Sequence, residues 1–354
     1  MERRTFLRAG IAVPGAVLLS GAVGALEPVV ARARVTRSLA SGLRVPWGIA
    51  FLPSGRALVS ERDTGRVLEV RPRGGFRVVG QVPGVVSTVA QGGENGLFGL
   101  ALHPDFARTR WVYAYLSTAS DNRVVRMRCD DGQLGAPEVV LPDIARSLHH
   151  NGGGLAFGPG GLLYVSTGDA EHPHRAQDRQ SLSGKVLRVT DTGAVPAGNP
   201  FGNPVWSYGH RNVEGLAFDG HGRLWATEFG NHLHDELNRI VRGGNYGWPR
   251  VEGRDGRGGY RDPFVTWRPD ECSPSGIAIA RGHAWVGALH GESLWAVKLD
   301  APHRRRKVRH FSHRLGRIRG VHRAPDGALW ITTSDRDGRA RRRRGDDHVY
   351  RVVL

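Results

Sequence analysis

His150 and Asp169 are the pair in this sequence best suited to moving a proton. The histidines His149 and His150 run into Asn151 and three glycines, and an apolar segment, Leu155-Ala156-Phe157, follows. A Pro-Gly-Gly turn and a second apolar segment, Leu163-Tyr164-Val165, then lead to Asp169. If the two segments pair as antiparallel strands, the turn carries Asp169 back to His150. That would set a base beside an orienting acid, as proton abstraction requires. Taken alone, the same residues describe a hairpin with a polar end, in which Asp169 caps a turn through its side chain.

The elements that must hold this pair come from a repeat. After residue 34 no long amphipathic helical pattern occurs. Instead a Gly-apolar-Ala-apolar segment, a turn with Pro or Gly, and an aliphatic or aromatic segment recur six times. The repeat glycines are Gly48, Gly99, Gly154, Gly215, Gly276 and Gly320, at steps of 51, 55, 61, 61 and 44 residues. Paired short strands at such periods are the pattern of propeller blades. The expected fold is all-β, a six-bladed β-propeller of four-stranded antiparallel blades over residues 35–354. A lone blade leaves its faces and edges uncovered, so the ring has to close. A strand from about Val35 to Leu43 beside Val349–Val352 would close it. Inner strands of such a ring end at a central channel, which singles out the residues just before the repeat glycines. These are Glu94, His150, Arg211 with Asn212, Ser275, and Arg317 with Arg319. Four of these five entries carry a charged or titratable group.

The chain has 354 residues, 50 of them glycine, and a formal net charge of +17. That charge attracts anions of many kinds. No zinc-finger, basic-zipper or RNP-type signature accompanies it, so nucleic acid is not the expected partner. The basic runs Arg304–Lys307 and Arg339–Arg344 read as solvated loops. Two cysteines, Cys129 and Cys272, do not by themselves define a disulfide. The N-terminus reads Glu2-Arg3-Arg4-Thr5-Phe6-Leu7-Arg8, followed by a small-residue apolar stretch interrupted by Pro14 and glycines. Residues 1–34 therefore read as an export signal and linker, not as a membrane span. Arg3-Arg4-x-Phe6-Leu7 resembles a twin-arginine signal, with Glu2 where Ser or Thr is usual. The expected mature chain is exported, to the periplasm, cell surface or medium, and carries no integral membrane segment.

Trp206-Ser207-Tyr208-Gly209-His210-Arg211-Asn212-Val213-Glu214-Gly215-Leu216-Ala217-Phe218 resembles the GHRNPQGLAF segment of the soluble PQQ-dependent aldose sugar and glucose dehydrogenases, the glucose/sorbosone dehydrogenase family. Thr227-Glu228-Phe229-Gly230, Asp235-Glu236-Leu237-Asn238 and Gly244-Asn245-Tyr246-Gly247-Trp248-Pro249 resemble its TEHG, DELN and NYGWP motifs. Glu94–Phe106 resembles its GLLGLALHPDF segment, and the likeness runs in order from Pro46 to Asp335. The resemblance implies an exported quinoprotein that oxidises aldoses at the anomeric carbon to lactones, with PQQ and calcium, passing electrons to an unidentified acceptor. It implies His150 as general base, Asp169 as the carboxylate orienting it, and Arg211 beside the quinone oxygens. Glu94, Asn212, Arg317, Arg319 and His290 match cofactor-contacting positions. The carbonyls of Gly230 and Asn231 match the ligands of the calcium at the quinone. Glu236 and the Tyr246 carbonyl match those of a second, structural calcium.

Four positions depart from the family pattern. Asn231 stands where Pro is usual, Phe229 where His is usual, Gly154 where Arg is common, and His290 where a lysine binds the cofactor in soluble glucose enzymes. The last two imply a looser pocket with fewer permanent cations. Two rival readings follow: a calcium-dependent six-bladed lactonase, and a propeller that binds carbohydrate or protein without cofactor. A lactonase channel would be rich in carboxylates, whereas the entries here are mostly Arg and His. His149, His210, His232 and His234 are spread over separate loops, which speaks against a transition-metal site.

Overall fold

Short apolar segments bounded by Gly, Pro and Asp turns form six consecutive antiparallel sheets, the blades of a six-bladed β-propeller. This computed structural model describes residues 32–256, 258–300, 306–340, 343 and 345–354. The expected export segment lies outside the described residues except for residues 32–34. Among the described residues the α-helix is a single turn, Phe106–Thr109. None of their helices is long and apolar enough to cross a membrane.

The innermost strands of blades 1 to 6 are Pro46–Phe51, Leu97–Leu102, Leu155–Phe157, Asn212–Phe218, Pro274–Ala280 and Ile318–Arg323. Blade 6 is finished by the start of the propeller: Arg34–Ala40 pairs antiparallel with Val349–Val353, with Val35 opposite Val352. Apolar side chains fill the seams. Phe98, Tyr115, Leu163 and Leu187 join blades 2 and 3, and Leu43, Ile49, Val59, Trp330 and Val349 join blade 6 to blade 1. Cys129, in blade 2, and Cys272, on the loop between blades 4 and 5, are buried free thiols.

Why each repeat begins on glycine is clear from the inner ring. A methyl group at Gly48, Gly154, Gly215, Gly276 or Gly320 would lie 2.5–2.6 Å from backbone of the next inner strand, at Leu100, Glu214, Ser275, Val321 and Trp47 respectively. Gly99 meets the Gly153 carbonyl in the same way. The six contacts run round the ring and return to blade 1, so the channel is held at the closest approach of backbone to backbone. No side chain fits there. In four blades a hydroxyl from the second strand binds the same glycine: Ser60, Ser166, Thr227 and Thr332 accept the N–H of Gly48, Gly154, Gly215 and Gly320 at 2.8–3.0 Å.

The ring gives Gly154 a packing role of its own in this chain, beside the absence of the arginine common in the family. Gly154 is the ring glycine of blade 3, and an added β-carbon would collide with the Glu214 carbonyl and Ser166 Oγ. The strands expected to bring Asp169 to His150 do pair antiparallel, Leu155 opposite Val165.

Candidate active site

His150 lies on the short loop before the blade 3 inner strand, with a backbone φ of 55°. This left-handed region costs a residue with a β-carbon roughly 1–2 kcal/mol, so neighbours must hold it. Glu94 Oε2 accepts the His150 N–H at 3.1 Å, and the His150 carbonyl accepts the Ala170 N–H at 3.1 Å. Asn212 Oδ1 accepts the Gly152 N–H at 2.9 Å, fixing the same loop from blade 4. The ring is thereby aimed so that Nδ1 meets Asp169 Oδ1 at 2.8 Å. Asp169 is fully buried, and its other oxygen accepts Trp248 Nε1–H at 2.8 Å. With Nδ1–H donated to this carboxylate, Nε2 carries the free lone pair. Asp169 also caps a turn, accepting the Glu171 N–H at 2.9 Å, so both roles read from the sequence coexist.

A cavity of about 420 Å³ opens above the channel, lined by His150, Glu94, Arg211, Asn212, Glu214, His290, Arg317, Arg319 and Arg339, among others. Every cofactor-contacting candidate named from the sequence lines it. Asp169 stands behind His150. Arg211 Nε is buried without a hydrogen-bond partner, and the guanidinium packs 5.6 Å from the Trp248 ring centre. It makes no ion pair among the described residues, and burial pulls its pKa down. Arg317 and Arg319 are committed: both reach Asp337 Oδ2, at 3.0 and 3.5 Å, and Arg319 also reaches Glu214 Oε2 at 3.1 Å. Burial raises the Glu214 carboxyl against the pull of Arg319. Burial would also raise Asp337, but Arg317 and Arg319 outweigh it and hold that carboxyl below its ordinary range. Ser275, an entry residue of blade 5, donates to Glu214 Oε2 at 2.5 Å. His290 is exposed at the rim.

The metal candidates fall in two places. Gly230 and Asn231 begin a loop wrapped round Glu252, whose Oε1 accepts the N–H groups of Asn231, His232, Leu233 and His234 at 2.7–3.0 Å. Asn231 Oδ1 lies 3.4 Å from Arg211 Nη2, so the loop borders the cavity, while Phe229 lines it. Glu236 lies deeper. Asn238 Nδ2 bridges it to Glu228, at 2.8 and 3.0 Å, and Asn238 Oδ1 is buried with no partner. Burial and then the Glu228 charge raise the Glu236 carboxyl well above its ordinary range. Tyr246 borders this cluster through its ring, stacked 4.5 Å from His210, which itself binds Glu228 at 2.8 Å. Two carboxylates and an orphaned amide oxygen make a donor set suited to a hard cation. Among the described residues the metal-like grouping of three or more donors is Asp335, Asp346 and Asp347, and no histidine belongs to one.

Sequence reasoning passed over Arg339, Trp248, Glu214 and Asp337. Arg339 was read as part of a solvated run, yet it lines the cavity and pairs with Glu94 at 2.7 Å.

A family model described as glucose / sorbosone dehydrogenase matches residues 43–342. The chain belongs to this family. A PQQ-bound aldose sugar dehydrogenase from Streptomyces coelicolor superposes with a TM-score of 0.87 at 46% identity, covering 90% of this chain and 97% of that one. The quinoprotein glucose dehydrogenase B of Acinetobacter calcoaceticus is 34% identical over 74% of this chain and 62% of its own length. The aldose sugar dehydrogenase YliI of Escherichia coli (strain K12) is 28% identical over 83% and 88%. Membership of this family favours the dehydrogenase reading over the lactonase; the cofactor-free reading, which rests on His290 and Gly154, turns on whether the cavity binds PQQ.

Proposed function

We propose that this family member is an exported quinoprotein that oxidises aldose sugars at the anomeric carbon to lactones, using PQQ and calcium. The observation that carries the reading is His150, held by buried Asp169, at the wall of a cavity in which Arg211 has a buried, unpartnered N–H. An ortho-quinone with three carboxylates suits that arginine-rich lining, and Arg211 Nε is a donor in want of an acceptor. Arg211, Asn212, Arg317, Arg319 and His290 would hold it, with Glu94 bordering them. The carbonyls of Gly230 and Asn231 would serve the calcium beside it, and Glu236 with the Tyr246 carbonyl the structural one. When bound, PQQ polarised by calcium supplies the two-electron hydride acceptor.

This chain's own residues do the rest. His150 Nε2 takes the proton of the anomeric hydroxyl. Asp169 keeps the ring in the tautomer that can accept it and offsets the charge on the resulting imidazolium. Arg211 steadies negative charge that develops on the oxidant's oxygens.

The deciding experiment loads residues 35–354 with PQQ and calcium and follows dye reduction with a panel of aldoses. Aldose-dependent reduction, lost in His150→Ala, is expected; no reduction by any aldose would overturn the reading. Export through residues 1–34 is tested by fractionating cells that carry Arg3→Lys with Arg4→Lys. Retention of that variant inside the cell, with the unaltered chain exported, is expected.

A further inference from the structure

Arg339 differs from the other arginines of the cavity in how it is held. Its backbone N–H is fixed by Asp337 Oδ1 at 3.0 Å, the carboxylate whose other oxygen takes the guanidinium groups of Arg317 and Arg319. One buried aspartate thus sets the place of three arginines. The Arg317 and Arg319 side chains are only 9% and 3% exposed, whereas that of Arg339 is 39% exposed. Among the described residues its guanidinium has one carboxylate partner, Glu94 Oε1 at 2.7 Å, and a long contact to the Gly92 carbonyl at 3.4 Å. Burial would push Glu94 up, but the charge and hydrogen bond of Arg339, with His150 and His149, hold it below the ordinary carboxylate range.

Glu94 poses a problem for a cavity that takes a polyanion. Its carboxylate faces the same space, where a like charge repels. It cannot simply be absent, because its other oxygen holds the His150 N–H.

We propose that Arg339 anchors a carboxylate of the ligand in this cavity, and that Glu94 is its counter-charge, which would repel the ligand were the guanidinium absent. The proposal rests on the polycarboxylate quinone reading above. An arginine fork can share one face with Glu94 and present the other to a ligand carboxylate, which cancels the repulsion and leaves the His150 loop fastened. Arg339 thereby supplies, from the last blade, the permanent cation that His290 does not.

Equilibrium binding to the calcium-loaded protein, without sugar, tests this with two probes, PQQ and the redox-inert tricarboxylate trimesate. Arg339→Gln is expected to weaken both by about 10- to 100-fold, the size of a lost charge-assisted bond. Arg339→Lys, which keeps the charge without the fork, should fall between. Glu94→Gln should bind both probes at least as tightly as the unaltered protein. Arg314→Gln, at an exposed arginine outside the cavity, should change nothing. Thermal melting of each variant checks that it is folded. Unaltered affinity of Arg339→Gln for both probes would overturn the anchor, and weaker binding by Glu94→Gln would overturn the counter-charge. If the unaltered protein binds trimesate but not PQQ, the quinone reading fails and trimesate alone decides Arg339. If it binds neither, both fail.

Discussion

At the scale of single residues, the structure makes the place of the proposed base a shared construction. His150 sits in a costly backbone region, and residues from three blades hold it: Glu94, Asp169 and Asn212. Asp169→Asn replaces an acceptor-only group by one whose amide N–H cannot accept from His150 or Trp248. We expect kcat for aldose oxidation to fall by about 10²- to 10⁴-fold, the usual worth of a positioned base, with PQQ affinity nearly unchanged in a binding titration. Trp248→Phe removes one donor to Asp169 and keeps an aromatic face for Arg211, so a smaller loss, about tenfold, is expected in the same assay. His150 and Asp169 were legible in sequence because a single hairpin joins them. Arg339 was not, because its partner Glu94 is 245 positions away and its neighbours form a run of like charge. Trp248 was visible only as part of a motif, since nothing local says that an indole reaches Asp169, 79 positions back.

At the scale of the strand, the repeat glycines are legible and their reason is not. Sequence shows that the glycine recurs; only the ring shows that the next blade's backbone occupies the place of its side chain. A second signal was available and went unread. A serine or threonine follows the glycine by 12 positions in blades 1, 3, 4 and 6, where its hydroxyl takes the glycine N–H. Blades 2 and 5 carry Trp111 and Ala288 there, and in blade 2 the Gly99 N–H goes to the Gly153 carbonyl at 3.0 Å. Gly215→Ala would press a methyl to 2.5 Å from both the Ser275 carbonyl and Thr227 Oγ1. It should cost about 1–3 kcal/mol in urea denaturation, as overpacking does. Thr227→Val leaves the buried Gly215 N–H without its acceptor and should cost a similar amount, about 1–3 kcal/mol. Gly220→Ala, with open space at the β-carbon, should be close to neutral. Equal effects at Gly215 and Gly220 would refute the packing argument.

At the scale of the molecule, the ends of the propeller are joined by more than strand pairing. Leu43 and Asp347 exchange backbone hydrogen bonds at 3.1 Å, and Asp347 Oδ2 accepts the Val45 N–H at 3.2 Å. Asp335, Asp346 and Asp347 bring carboxylate oxygens within 4.8 Å of one another at this junction. Burial, then the charge of its neighbours, pushes Asp335 up to about 6 and Asp347 up to about 7. The folded protein therefore binds more protons here than the unfolded chain does between about pH 4 and about pH 7. The stability this contributes is present below the unfolded value and is lost as pH rises through the folded ones. The melting temperature should drop by about 2–4 °C between about pH 5 and about pH 8, and Asp335→Asn, neutral throughout, should flatten that drop. The closing pair of strands was legible, because a ring of blades leaves one edge unmet at each end of the chain. The acidic junction was not, since its acids read as loop residues among arginines.

That seam also sets an order of events. The strand Arg34–Ala40 is made first, and its ladder partner among the described residues, Val349–Val353, is made last. At about 5–20 residues per second of synthesis, the first strand waits about 15–60 s beside residues 1–33 before it can be paired. Completion of the ring therefore takes place beside the proposed export segment, after the rest of the propeller has been made. If residues 1–34 are the export signal proposed above, a route that carries only folded cargo would find, next to that signal, the segment whose locking reports that folding is done.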